Sequence, residues 1–201
     1  MPTISLESLK SPIATCLHRI LNSKPRNNSK SNPYIGMCME TSGSKQAGPA
    51  EIKATIYTFG HSTKSLQDFV QTLKNFKVEV AIDVRRFPGS RKNPQFSKET
   101  LSRELPKSGV RYVWLGELLG GYRPGGYRRH MKTKAFKEGL GRLVELAREG
   151  RTVFFCSEAL WFRCHRRFIA DRLTKLGFKV VHIYDEKRWS IHKLRRRKAG
   201  L

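Results

Sequence analysis

In the stretch "FFCSEALWFRCHRRF" (154–168), two thiols, a carboxylate, an imidazole and three guanidinium groups fall within twelve positions. Cys156 closes an apolar run, Glu158 follows it, and Cys164, His165 and Arg166 come next. A thiol at a helix start among arginines has a lowered pKa, so Cys164 is the stronger nucleophile candidate and Cys156 the second. Glu158, and His61 farther back, are the acid–base candidates. The plainer alternative makes Cys156 a small buried apolar residue. The spacing does not match a CxxC redox pair. Neighbouring Cys164 and His165 point different ways on a helix, so neither a metal nor another cofactor is expected. A regulatory disulfide between the two cysteines is a further reading.

Three other clusters carry chemistry. "FGHSTKS" sets His61 and Ser62 at the turn into a helix, where Ser62 either binds an anion or caps. "AIDVRRFPGSRKNP" sets Asp83 and Arg85 on one face of a strand, as a working pair or a structural salt bridge, with Ser90 in the following loop. "LGGYRPGGYRR" interleaves rings and guanidinium groups: after Gly120 and Gly121 come Tyr122, Arg123, Tyr127, Arg128 and Arg129. That mixture suits base stacking and phosphate contact, or it is a mobile surface loop.

The elements that must position these residues alternate. Strands are expected at 55–60, 78–85, 111–116, 152–158 and 179–186, with helices at 65–76, 97–105, 134–149 and 163–177. The strands read as apolar runs, which suits a parallel sheet covered on both faces. The expected fold is α/β: one Rossmann-like three-layer domain over 54–189, a mostly parallel sheet of about five strands with helices on both faces. In such sheets ligands bind beyond the strand C-termini, where the clusters above fall.

Composition points to the partner. Lys and Arg number 40 against 16 Asp and Glu, a formal net charge of +24. Residues 1–50 hold six Lys/Arg and two acids, so most of the excess lies beyond them. A charge of this size favours anionic partners, namely a phosphorylated small molecule or nucleic acid. Residues 1–53, rich in Ser, Asn, Pro and Gly, are expected to be a disordered tail, with Met37 or Met39 as alternative starts of translation. Residues 190–201 form a basic tail in which Arg195, Arg196 and Arg197 are candidate nucleic-acid contacts. The sequence shows no apolar run of membrane-spanning length, and its four cysteines do not form a secreted disulfide framework. A cytoplasmic location without a membrane partner is expected; the oligomeric state is left open.

Taken together, "FGHS", "DVRRFPGS", "LGELLGG" and "CSEALWFRCHR" resemble the family catalogued as domain of unknown function 488. The resemblance covers about residues 55–185. It implies a compact α/β domain with signature residues at Gly60, His61, Ser62, Asp83, Arg85, Pro88, Ser90, Gly120, Gly121, Cys156, Glu158, Cys164, His165 and Arg166. The spacer "ALWFR" is more apolar than the family pattern. The resemblance implies no reaction. Two functions remain in view: thiol-dependent chemistry on an anionic ligand at the strand C-termini, and a non-catalytic nucleic-acid-binding module.

Overall fold

The computed structural model describes residues 53–89 and 93–194. Residues 1–52, Ser90 and the basic run Arg195, Arg196 and Arg197 lie outside the described residues.

The chain forms strands β1 (Lys53–Gly60), β2 (Val80–Asp83), β3 (Arg111–Trp114), β4 (Thr152–Cys156), β5 (Phe178–Ile183) and β6 (Trp189–Ile191). Between them run helices α1 (Leu66–Asn75), α2 (Lys98–Lys107), α3 (Gly116–Leu119), α4 (Tyr127–His130), α5 (Lys134–Glu149) and α6 (Arg166–Lys175). The six strands make one sheet in the order β3-β2-β4-β1-β5-β6. All neighbours pair in parallel except β5 and β6. The sheet is therefore mostly parallel, as expected, with one strand beyond the expected five. That strand, "WSI", straddles the expected start of the basic tail.

Strand alternation divides the core between two faces. Phe59, Ala81, Val153, Phe155 and Ile183 share a cluster with Phe69 and Leu73 of α1 and Leu101 and Leu105 of α2. The residues between them in sequence meet the other helices. The Thr152 hydroxyl donates to the Leu146 carbonyl of α5, and Thr58 accepts from Arg166 of α6. Right-handed crossovers put connections leading to opposite sides of the sheet on opposite faces, which gives three layers. Ser65 and Ser97 cap α1 and α2, accepting from the backbone N–H groups of Asp68 and Thr100.

The chain leaves β1 toward β2 on one side of the sheet and leaves β4 toward β5 on the other. The C-termini of β2, β4 and β1, three neighbours in the sheet, thus open onto one crevice. No helix among the described residues is long and apolar enough to cross a membrane.

Candidate thiol site at the strand C-termini

The crevice is a cleft of about 550 Å³ lined by residues from each of these strand ends, among them His61, Arg85, Cys156, Glu158, Cys164 and His165. It lies within the volume range of small-molecule pockets.

At its floor, Cys156 Sγ and Cys164 Sγ lie 2.9 Å apart, both as free thiols. Cys156 ends β4 on the face covered by α6. Cys164 has extended backbone (φ −112°, ψ 158°) between a 3₁₀ turn, Trp161–Arg163, and the start of α6. The helix therefore begins at Arg166, later than the sequence suggests, and His165 is its N-cap residue. His165 Nδ1 stands 3.4 Å from Cys164 Sγ, and Nε2 stands 2.9 Å from the Val84 carbonyl. A carbonyl only accepts, so Nε2 carries the hydrogen and Nδ1 is left to exchange a proton with the sulfur. This is a nucleophile, a base and an element that orients the base.

The two thiols are unequal. The Cys156 hydrogen bond holds the Cys164 thiol well below its usual range, helped by His165 and by the Arg166 charge against the cost of burial. Burial pushes the Cys156 thiol up, and its hydrogen bond to Cys164 adds to that. Cys164 is thus the thiol that ionises more readily, and Cys156 the one that holds its proton more tightly.

Arg166 is buried and donates to the Thr58 hydroxyl and to the carbonyls of Glu158 and Ala159. Its Nε has no partner, and none of the carboxylates among the described residues pairs with it. A buried cation without a carboxylate favours a negative charge nearby, and the Arg166 charge lowers the pKa of Cys164. Gly60 leaves room for this clamp. A side chain there would strike the Glu158 carbonyl and come within 2.8 Å of the Arg166 guanidinium.

Asp83 and Arg85 form a buried, bidentate pair. Arg85 Nε reaches Oδ1 at 2.9 Å and an Nη reaches Oδ2 at 2.5 Å. The Tyr112 hydroxyl also donates to Oδ2, and burial beside that carboxylate keeps the phenol protonated. His61 Nδ1 donates to the Ser62 carbonyl, and Nε2 accepts from Arg85. Desolvation, then the Arg85 charge, lowers its pKa to about 4. With both nitrogens engaged and its ring stacked on Phe96 at 3.9 Å, His61 positions Arg85 and has no nitrogen free for a ligand.

The other candidates divide between the cleft and its supports. Glu158 lines the cleft, but its carboxylate accepts from the Leu160 N–H and shapes the turn. Ser62 lies in the left-handed region (φ 48°) with its N–H on the Ser157 carbonyl; Ser65, not Ser62, caps α1. Gly121 approaches His165, where an added Cβ would sit 3.1 Å from Nδ1, and Gly120 packs on the Arg86 backbone. The "GGYRPGGYRR" loop is only partly available to a ligand. Arg123 turns inward onto the carbonyls of Gly116, Glu117 and Gly120. Tyr127 donates to the Leu119 carbonyl and packs on His165 and Phe168. Tyr122, Arg128 and Arg129 remain exposed.

Sequence reasoning passed over Phe87 as a cleft-lining residue; Arg163 and Arg167, counted among the guanidinium groups of the 154–168 stretch without a role, also line the cleft. It also passed over His182, whose Nε2 lies 2.9 Å from His192 Nδ1, while His192 Nε2 lies 2.9 Å from Asp171. Two histidines ten residues apart, one in an apolar strand, gave no spacing signal. Among the described residues no cluster of His, Cys, Asp and Glu is arranged to hold a metal ion.

A family model described as domain of unknown function DUF488 matches residues 65–126 and 123–173. No curated protein and no solved structure matches the chain.

Proposed function

The chain belongs to the family of domain of unknown function DUF488, and on that premise we propose a thiol-dependent enzyme whose Cys164 attacks an anionic, phosphorylated substrate held in the cleft. The observation that carries this reading is the contact of Cys164 Sγ with a second thiol at 2.9 Å and with His165 Nδ1 at 3.4 Å. A structural cysteine has no use for a hydrogen-bond donor and an oriented imidazole. A nucleophile needs both. In the step this arrangement supports, Cys164 passes its proton to His165 Nδ1, and its thiolate bonds to the electrophilic atom of the substrate as the bond from that atom to the leaving group breaks. The leaving group takes a proton delivered through His165, and water later releases the adduct. Arg163 and Arg167 line the cleft and supply charge for the anion, while Arg85 is neutralised by its pair with Asp83.

The test is alkylation of the native protein by iodoacetamide across pH, read by mass spectrometry. Cys164 is expected to react quickly below neutral pH while Cys156 stays inert, and added phosphate is expected to slow Cys164. Equal, slow reaction of both thiols would overturn the reading. The net charge of +24 would then favour the second reading, a nucleic-acid-binding module without chemistry.

A further inference from the structure

Two large aromatic side chains stand in water at the mouth of the thiol cleft. Phe87, four residues past the end of β2, is 69% exposed, and Tyr122, between α3 and α4, is 90% exposed. Both line the same cleft as Cys164 and His165. A single exposed ring is ordinary on a protein surface, but two on one rim are a feature to be explained.

Their backbone is held in place. Tyr122 adopts φ 53°, a left-handed conformation that non-glycine residues enter at a cost and that recurs at ligand clamps. Arg86 joins the two segments: Nη1 donates to the Tyr122 carbonyl at 2.5 Å, and the guanidinium lies 5.3 Å from the centre of the Phe87 ring. One arginine thus fixes both ring-bearing segments to each other.

The charge beside the rings has one dominant sign. Arg85 is neutralised by Asp83, but Arg86, Arg163 and Arg167 also line the cleft, and the one carboxylate among its described lining residues is Glu158, already engaged with the Leu160 N–H. Flat apolar rings at the mouth and guanidinium groups within suit a ligand with a planar aromatic part and an anionic part.

We propose that the cleft binds a nucleoside phosphate, its base stacking on Phe87 and Tyr122 and its phosphate lying among Arg163, Arg167 and the thiol pair. The inference rests on the thiol reading above in that it assigns a substrate class to the same cleft.

The experiment measures binding of AMP and of ribose 5-phosphate by calorimetry, together with protection of Cys164 from iodoacetamide. AMP is expected to bind about a hundredfold more tightly than ribose 5-phosphate, as base stacking on two aromatic side chains implies. Phe87→Ala and Tyr122→Ala are expected each to weaken AMP by about tenfold and leave ribose 5-phosphate unchanged. Both side chains are exposed, so both variants keep their melting temperature. Equal affinity for the two ligands, or unchanged AMP affinity in both variants, overturns the proposal. If ribose 5-phosphate protects Cys164 as well as AMP does, stacking fails and the thiol reading stands. If AMP binding depends on the rings while Cys164 is inert, the thiol reading fails and the nucleotide site stands. Competition of AMP with a short single-stranded RNA would place the nucleoside phosphate at a chain end, and lack of competition would place it free. Either result keeps the proposal and assigns the source.

Discussion

At the scale of single residues, the site depends on an inequality between two thiols. Burial raises the pKa of Cys156, and the hydrogen bond between the two sulfurs lowers that of Cys164. Replacing Cys156 by Ala removes that hydrogen bond, while Ser returns a hydroxyl of similar size. Cys156→Ala is therefore expected to slow alkylation of Cys164 near pH 6 by about tenfold, and Cys156→Ser to restore most of the rate. An unchanged rate in the Ala variant would assign the low Cys164 pKa to His165 and Arg166 instead. Some of this site was legible beforehand. Strand alternation alone puts Asp83 and Arg85 on one face, where they pair. Cys164 and His165 were visible as adjacent reactive types. The roles of His61 and Tyr127 were not, because a sequence names a polar group without saying whether its atoms are already engaged. His61 gives both nitrogens to its surroundings, and Tyr127 gives its hydroxyl to Leu119. Phe87 was hidden for the converse reason: a phenylalanine after a strand reads as core until the fold leaves it in water.

At the scale of elements, β5, β6 and α6 are joined by a buried histidine pair. His182 of β5 stacks on Trp161 at 4.0 Å, faces His192 through Nε2 and feels the Arg166 charge; its Nδ1 has no partner. His192 in turn reaches Asp171 of α6. Desolvation first, then His192, lowers the His182 pKa to about 3, and His61 falls to about 4. Both are held neutral in the folded state, whereas in the unfolded chain a histidine takes up its proton near pH 6.5. Between those values the unfolded chain binds more protons, so stability is fully present above about pH 6.5 and is lost as pH falls toward 4. The melting temperature should drop across that window, and His182→Gln should flatten the drop; a melting temperature independent of pH there would refute the account. The strand–helix order was legible because apolar runs and helical periodicity alternate along the chain. The sixth strand was not. Its three residues, Trp189 to Ile191, are largely exposed and show no apolar run. The late start of α6 was also hidden, since the extended backbone at Cys164 leaves no mark in residue type.

At the scale of the whole molecule, charge and topology act together. A net charge of +24 favours polyanionic partners irrespective of the cleft. Affinity for single-stranded DNA should fall by about a hundredfold between roughly 50 and 200 mM salt, as several phosphate contacts require. A nearly flat dependence would show that the charge is spread too thinly to grip a backbone. The strand order also decides where the sheet is vulnerable. Among the described residues its rims are β3, four residues long, and β6, three. A foreign strand finds few open amides and carbonyls on either, so the folded chain is a poor template for edge-to-edge aggregation. The hazard lies one strand inward. Were β6 to peel away, the six residues of Phe178–Ile183, buried but for Lys179, would become the new edge, and fibrillar growth would have a place to begin.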